Sequence, residues 1–284
     1  MPILTGHTRL AGVLGWPVSH SRSPRLHGFW LERYGIDGVY LPLPVRPEDF
    51  SVAVRGLMAA GFAGANVTLP HKQAAFACCD ALEDAARATG AVNTLKFEGG
   101  RVIGDNTDGA GFIANLAAHK VEPKSGPALI LGAGGAASAI GAALRDKDIN
   151  ISICNRSEDR AEALARRIPG ARVIDWEARH DALADHALLV NTTSLGMTGQ
   201  PPLDLDLSHA APGMAVADIV YAPLETPLLA AARAAGLLAV GGLGMLLHQA
   251  APGFAAWFGM TPVVDEALYR FVAADLLPAA PLAG

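Results

Sequence analysis

The sequence predicts an α/β protein in two parts, the second a doubly wound parallel sheet. Three observations predict it. Short apolar runs alternate with helix-like stretches along nearly the whole chain, which implies βαβ units. Several of these runs are continuously apolar, as expected for strands covered on both faces. Finally, 31 glycines and 19 prolines in 284 residues supply many tight loops between short elements.

The same composition narrows the class. Hydrophobic residues make up 51% and charged residues 17%, against about 25% charged in typical soluble domains. Disorder and coiled coil are poor readings of such a chain. A membrane span is the remaining rival, because no Asp, Glu, Lys or Arg occurs between Ala234 and Val264. That stretch is interrupted by Gly241, Gly242, Gly244, His248, Gln249 and Pro252, which a span of about 20 predominantly apolar residues would not carry. No membrane partner is expected.

In the first half, Arg9–Gly15 reads as a strand. Ser23 starts a helix with Pro24 in its first turn, and Gly35 ends it. A strand at 39–45, a helix from Pro47 toward Ala60, a strand at 62–68 and a helix from Pro70 follow. Strands at 90–97 and 101–104 are joined by a Glu98-Gly99-Gly100 turn. The alternation predicts a mostly parallel sheet.

The second half opens after a polar loop, Pro123-Lys124-Ser125-Gly126. Six strands are expected there, at Ala128–Leu131, 149–154, Arg172–Ile174, 187–191, 215–220 and Leu238–Val240. Helices are expected at 135–145 and 161–167. The stretch 243–277 reads as helices before a Pro278–Gly284 tail.

Gly132-Ala133-Gly134-Gly135-Ala136-Ala137 sits between the Ala128–Leu131 strand and the following helix. This is the Gly-x-Gly-x-x-Ala form of the dinucleotide fingerprint. Its glycines permit a tight turn and close approach of backbone to pyrophosphate, and Ala137 permits close packing of helix on strand. A plain strand-to-helix turn is the bland alternative. The end of the next strand chooses the nucleotide. NAD sites place an acid there for the ribose 2′-hydroxyl; this chain has Asn155-Arg156-Ser157, with Arg160 one turn on. A planar guanidinium matches a 2′-phosphate, so NADP is expected. The alternatives are Arg156 as a solvated charge and Arg160 as a helix partner of Glu158 or Asp159. The loop Asn191–Met197 follows another strand end and is a candidate border of the nicotinamide ribose.

Net charge is −5 with no basic run, so nucleic acid is not an expected partner. Cys78, Cys79 and Cys154 form no even disulfide framework, and the N-terminal residues show no secretory signal. A cytoplasmic protein is expected. No His, Cys or acid cluster has metal-ligand spacing. The polar blocks Ser19–Pro24, Asn66–Lys72, Gly90–Thr94 and Gly104–Gly109 supply hydroxyls, amides, a lysine and acids. They suit a small hydroxylated carboxylate.

These blocks, taken in order with Gly15-Trp16-Pro17, Gly132–Ala137, Asn155-Arg156-Ser157, Asn191–Met197, Asp218–Tyr221 and Gly242–Gln249, resemble the shikimate dehydrogenase family over nearly the whole chain. The resemblance implies a substrate domain at 1–106, completed by helices of 243–284 that return to it, and an NADP-binding Rossmann domain at 107–242. It implies reversible NADPH-dependent reduction of 3-dehydroshikimate to shikimate. Lys72 and Asp108 fall on the catalytic positions. Ser21, Ser23, Thr68, Asn93, Tyr221 and Gln249 fall on substrate contacts. Gly132, Ala133, Gly134, Gly135, Ala136, Asn155, Arg156, Ser157, Arg160, Thr192, Gly242 and Met245 fall on the cofactor site. His20 and His71 are read as structural or orienting. One departure is Gly28, where many members have Asn. Two rivals stay open: a quinate/shikimate dehydrogenase using NAD, and a non-catalytic member that binds a metabolite. A monomer or a homodimer fits either reading.

Overall fold

A computed structural model describes residues 4–122 and 126–276. The polar loop expected at 123–126, Gly126 excepted, and the tail expected at 278–284 lie outside the described residues. The chain divides into two compact units. One runs up to Thr107 and takes in Gln249–Val272; the other is Asp108–His248 with the residues from Ala273.

The first unit is built from β1 (Arg9–Gly15), α1 (Ser23–Arg33), β2 (Gly38–Pro44), α2 (Phe50–Ala59), β3 (Gly64–Val67), α3 (Lys72–Cys78), β4 (Ala81–Leu82), α4 (Asp84–Thr89), β5 (Thr94–Glu98) and β6 (Arg101–Asp105). A single 3-10 turn at Pro47–Asp49 leads into α2. The sheet order is β2-β1-β3-β5-β6-β4. The expected mostly parallel sheet is in fact mixed: β1 is parallel to β2 and β3, and β4 to β6, whereas β5 is antiparallel to both β3 and β6. The Gly99-Gly100 turn accounts for the β5–β6 pairing. Both glycines have positive φ, 59° and 73°, the geometry of a two-residue hairpin turn. It places Glu98 opposite Arg101 and reverses the chain. The two-residue β4 and the short α4 have no sequence counterpart, being too short to show a hydrophobic period.

The stripe Leu26, His27, Trp30 and Leu31 of α1 is buried, the 3–4 spacing of a helix face turned to a core. That core is completed by the end of the chain. Phe254 and Trp257 of α9 (Gly242–Phe258) pack among His27, Trp30 and Tyr40. The Trp257 indole donates to the Leu95 carbonyl at 2.9 Å, and the Trp30 indole to the Val263 carbonyl at 3.0 Å. Arg33 pairs with Asp265 just before α10 (Glu266–Ala273). The expected return of C-terminal helices therefore rests on buried aromatic packing with both indole N–H groups satisfied.

The second unit holds α5 (Asp108–Ala118), β7 (Ala128–Leu131), α6 (Gly135–Arg145), β8 (Ile151–Cys154), α7 (Glu158–Ala165), β9 (Arg172–Ile174), β10 (Leu188–Asn191), β11 (Ala215–Asp218), α8 (Pro227–Ala234) and β12 (Leu238–Val240). Its order, β12-β11-β10-β7-β8-β9, is parallel throughout. This is the expected doubly wound sheet, and the strand order reverses between β7 and β10. Every residue of β7, β8, β10 and β11 is buried, which explains why those runs are so apolar. Between β9 and β10 the crossover is not an α-helix but two 3-10 turns, Glu177–Arg179 and Asp181–Asp185. The uncharged stretch 234–264 is spent on β12 and α9. Among the described residues no helix is long and apolar enough to cross a membrane.

Candidate active site

In the second unit the chain leaves β7 at Gly132, whose φ is +111°. A side chain there is excluded twice: by that backbone conformation, and because a Cβ would meet the Thr192 hydroxyl oxygen at 2.5 Å. The Gly132 N–H donates to the Cys154 carbonyl at 2.9 Å, and the Thr192 hydroxyl donates to the Leu131 carbonyl at 2.7 Å. The loops after β7, β8 and β10 are thus tied at their roots. Gly134 then caps α6 in extended conformation, and no side chain caps this helix. The first N–H groups of a helix have no intrahelical partner. Here they open beside an exposed Gly134, where an added Cβ would meet no protein atom. Such a cradle accepts an anion together with its bulk.

A cleft of about 190 Å³ lies over this turn, lined by Gly132, Ala133, Gly134, Asn155, Arg156, Arg160, Trp176 and residues 192–195. Asn155 turns its amide to the Ser157 carbonyl at 2.9 Å. Ser157 is the residue before α7. Arg156 and Arg160 are exposed and make no ion pair among the described residues, so Glu158 and Asp159 do not hold Arg160. Two unpaired guanidinium groups and an uncapped helix, with no acid at the end of β8, fit a dinucleotide carrying a phosphate on its adenosine ribose.

Of the expected cofactor residues, the cleft brings together Gly132, Ala133, Gly134, Asn155, Arg156, Arg160 and Thr192. Gly135 and Ala136 form the adjoining first turn of α6. Ser157, Gly242 and Met245 are not in its lining. A Cβ on Gly242 would meet the Ile219 carbonyl oxygen at 2.2 Å, and Met245 is buried in the sheet core. Trp176, two residues past β9, also lines the cleft and belongs to none of the sequence blocks; its only signal is an aromatic at a strand end.

Tyr221 follows β11 and is half-buried. The loop that carries it is braced by Asp218, which accepts hydrogen bonds from Asn191 Nδ2 (3.0 Å), the Val220 N–H (3.1 Å) and the Thr226 hydroxyl (2.7 Å). Burial pushes the Asp218 carboxyl above its usual pKa, against the pull of those three donors.

In the first unit the expected substrate residues stand on the starts and ends of elements. Ser23 opens α1, and its N–H donates to the Ser21 hydroxyl at 3.3 Å. The Thr68 N–H continues the sheet onto the Leu14 carbonyl at 2.9 Å, and the Thr68 carbonyl in turn accepts from the His71 N–H at 2.9 Å. Lys72 is the first residue of α3, and its carbonyl accepts from the Val92 N–H at 2.9 Å. That bond locks Lys72 to the peptide beside Asn93.

Asn93 is the centre of a buried network. Its Oδ1 accepts from the Thr107 N–H (2.9 Å) and the Thr94 hydroxyl (2.9 Å). Its Nδ2 faces Thr107 Oγ1 (3.0 Å) and Gln249 Oε1 (3.3 Å). The Thr107 hydroxyl donates to the Gln249 carbonyl at 2.8 Å. Asn66, part of a polar block but with no role expected of it, donates to the Asn93 carbonyl and Thr94 Oγ1, each at 3.2 Å, and accepts from the Tyr40 phenol at 2.6 Å. Asp108 follows Thr107 directly as the head of α5. His71 is buried, with Nε2 on the Val45 carbonyl at 2.8 Å and its ring stacked on Phe50, which is a structural position. His20 is exposed. Among the described residues no group of three or more His, Cys, Asp or Glu could hold a metal ion.

Comparison with known proteins finds relatives along nearly the whole chain. Residues 13–95 match the family "Shikimate dehydrogenase substrate binding domain", and residues 115–196 match "Shikimate / quinate 5-dehydrogenase". A shikimate dehydrogenase (NADP(+)) of Acidiphilium cryptum is 70% identical over 97% of this chain and 99% of that protein. One from Rhodospirillum rubrum is 56% identical over 94% of this chain and 97% of that protein. Among solved structures, the shikimate 5-dehydrogenase of Thermus thermophilus in complex with NADP(H) and shikimate aligns with a TM-score of 0.86 at 38% identity, covering 95% of this chain and 100% of that chain.

Proposed function

The chain belongs to the shikimate dehydrogenase family, and from that premise we propose that it catalyses the reversible NADPH-dependent reduction of 3-dehydroshikimate to shikimate, the aromatic-precursor step the family name denotes. The observation that carries the reading is the pairing of two kinds of site in one chain. One unit offers a phosphate-ready turn with unpaired Arg156 and Arg160. The other offers a buried amide and hydroxyl network beside Lys72.

NADPH, when bound, supplies the hydride. Gly132, Gly134 and the α6 N-terminus would hold its pyrophosphate, and Arg156 and Arg160 its 2′-phosphate. Ser21 and Ser23, at the start of α1, take the substrate carboxylate, where hydroxyls and the helix dipole favour an anion. Thr68, Asn93, Tyr221 and Gln249 read ring hydroxyls and the carboxylate edge. Asn93 and Gln249 are already oriented by their mutual bond, so ordering them costs little on binding. Lys72 donates a proton to the carbonyl oxygen as it becomes an alkoxide, and its charge stabilises that oxygen before transfer is complete. In the reverse direction it takes the proton back. Asp108 is assigned to accept from a substrate hydroxyl.

The partners assigned are these two small molecules. A reducing, cytoplasmic compartment suits the free thiols of Cys78, Cys79 and Cys154. The test is formation of NADPH, followed by its near-ultraviolet absorbance, from shikimate and NADP with the purified protein. Absence of turnover by the folded protein would sink the reading.

The choice of NADP rests on Arg156. Replacement by Ala is expected to weaken NADP binding about 10–100-fold, the loss of charge-assisted bonds to a phosphate. NAD, which shares the adenine but has no such phosphate, should lose several-fold less than NADP does. Calorimetric titration of both cofactors checks this, and equal losses would refute the assignment of Arg156 to the 2′-phosphate.

A further inference from the structure

A second cleft, of about 220 Å³, adjoins the first and shares Asn155, Arg156 and Trp176 with it. It opens between the ends of two paired strands. Cys154 of β8 lies opposite Ile174 of β9, so Asn155-Arg156 and Asp175-Trp176 leave the sheet side by side. Crevices outside the carboxyl ends of parallel strands are where such sheets take ligands. On the β9 side it is lined by the apolar Val173, Ile174 and Trp176 together with Asp175 and Glu177, and Glu158 stands beside Arg156 on the other side.

Trp176 is held from behind. The Arg179 guanidinium lies 4.7 Å from the centre of its ring. Arg179 Nη1 donates to the Trp176 carbonyl at 2.8 Å, and Nε donates to the Asp204 carbonyl at 3.1 Å. Arg179 is itself only 6% exposed and pairs with the Asp204 carboxylate at 3.3 Å. The cation is fixed by groups other than the ring, so the indole is clamped while still lining both clefts. A tryptophan that only covered the core would have no need of an open side toward Arg156.

We propose that Trp176 is the surface on which the adenine base of the dinucleotide packs, with Arg156 opposite it across the cleft. This rests on the reading that the chain binds NADP. Aromatic side chains bind any base through its π-face, and a guanidinium on the other side adds a cation–π contact. The preformed clamp by Arg179 removes much of the ordering cost.

Adenosine 2′,5′-bisphosphate, which has the base and the 2′-phosphate but no nicotinamide, separates the possibilities. In the wild-type protein it should quench tryptophan emission. Of the 4 tryptophans, Trp30 and Trp257 are buried in the first unit and Trp16, though exposed, belongs to that unit and lines neither cleft, so the quench should vanish in Trp176→Phe. Trp176→Leu should raise the Kd for the bisphosphate about tenfold or more, with Trp176→Phe recovering part of that loss. Affinity for nicotinamide mononucleotide, which lacks adenine, should change by less than about twofold. A quench that persists in Trp176→Phe, or an unchanged Kd in Trp176→Leu, overturns the inference. Should the Leu variant not fold, the fluorescence of the Phe variant decides. A wild-type protein that binds neither NADP nor the bisphosphate removes the cofactor reading itself; one that binds both without a Trp176 signal removes only this inference.

Discussion

Replacing Lys72 with Ala is expected to lower kcat by about 10²–10⁴-fold, the range associated with loss of a positioned proton donor. Shikimate should still bind with a measurable Kd, because the carboxylate and hydroxyl contacts assigned to Ser21, Ser23, Asn93 and Gln249 remain. The fold should survive. The bond that ties α3 to the Asn93 segment runs from the Val92 N–H to the backbone carbonyl of residue 72, and a helical Ala keeps it. The rival view of Lys72 as one half of a structural ion pair predicts the reverse pattern, a lower Tm with turnover retained. Turnover numbers at saturation, calorimetric Kd values for shikimate and thermal melts distinguish the two. Turnover within about tenfold of wild type would refute the proton-donor role.

The second large effect lies outside the chemistry. His27 is fully buried, stacked 4.0 Å from the Tyr40 ring and surrounded by Trp30, Phe254 and Trp257. Neither ring nitrogen has a hydrogen-bond partner. Burial lowers its pKa from 6.5 to about 3. Between those values the unfolded chain binds a proton that the folded one does not, so stability falls as pH drops through this window. At about 1.4 kcal/mol per pH unit, the whole window costs on the order of 5 kcal/mol. His27→Phe keeps an aromatic ring against Tyr40 and removes the titration. Relative to wild type it should gain about 2 kcal/mol on going from about pH 6.5 to about pH 5, whatever its offset at neutral pH from the larger ring. Urea unfolding at several pH values measures that difference, and parallel pH profiles for the two proteins would sink the prediction.

Much of the second unit is legible in the sequence alone. Strands buried on both faces must be written as short uncharged runs, and the buried cores of β7, β8 and β10 are; the turn after β7 must use glycine because Thr192 fills the space where a Cβ would stand. The first unit is less legible. Its longer strands and the Glu98-Gly99-Gly100 turn show in the sequence, but the antiparallel insertion of β5 beside β3 is set by the path of the chain through α3, β4 and α4, the last two too short to show a period. Residues 242 and 245 illustrate the opposite difficulty. In the sequence they belong to a block shared with a family, and the packing of one against the Ile219 carbonyl and of the other in the sheet core shows only in three dimensions.

The sequence by itself determined the class of fold, the nucleotide turn, the absence of an acid at the end of β8 and the residue types that suit a hydroxylated acid. These are local properties: hydrophobic period, glycine at a turn, charge at a strand end. Tertiary structure alone decided which residues distant in the chain share a surface. It set Gln249 against Asn93 and Thr107, clamped Trp176 under Arg179 beside Arg156, and enclosed His27 among aromatic rings contributed by both ends of the chain. Such contacts carry no period and no motif, because they arise from the order of strands and the path of the returning helix.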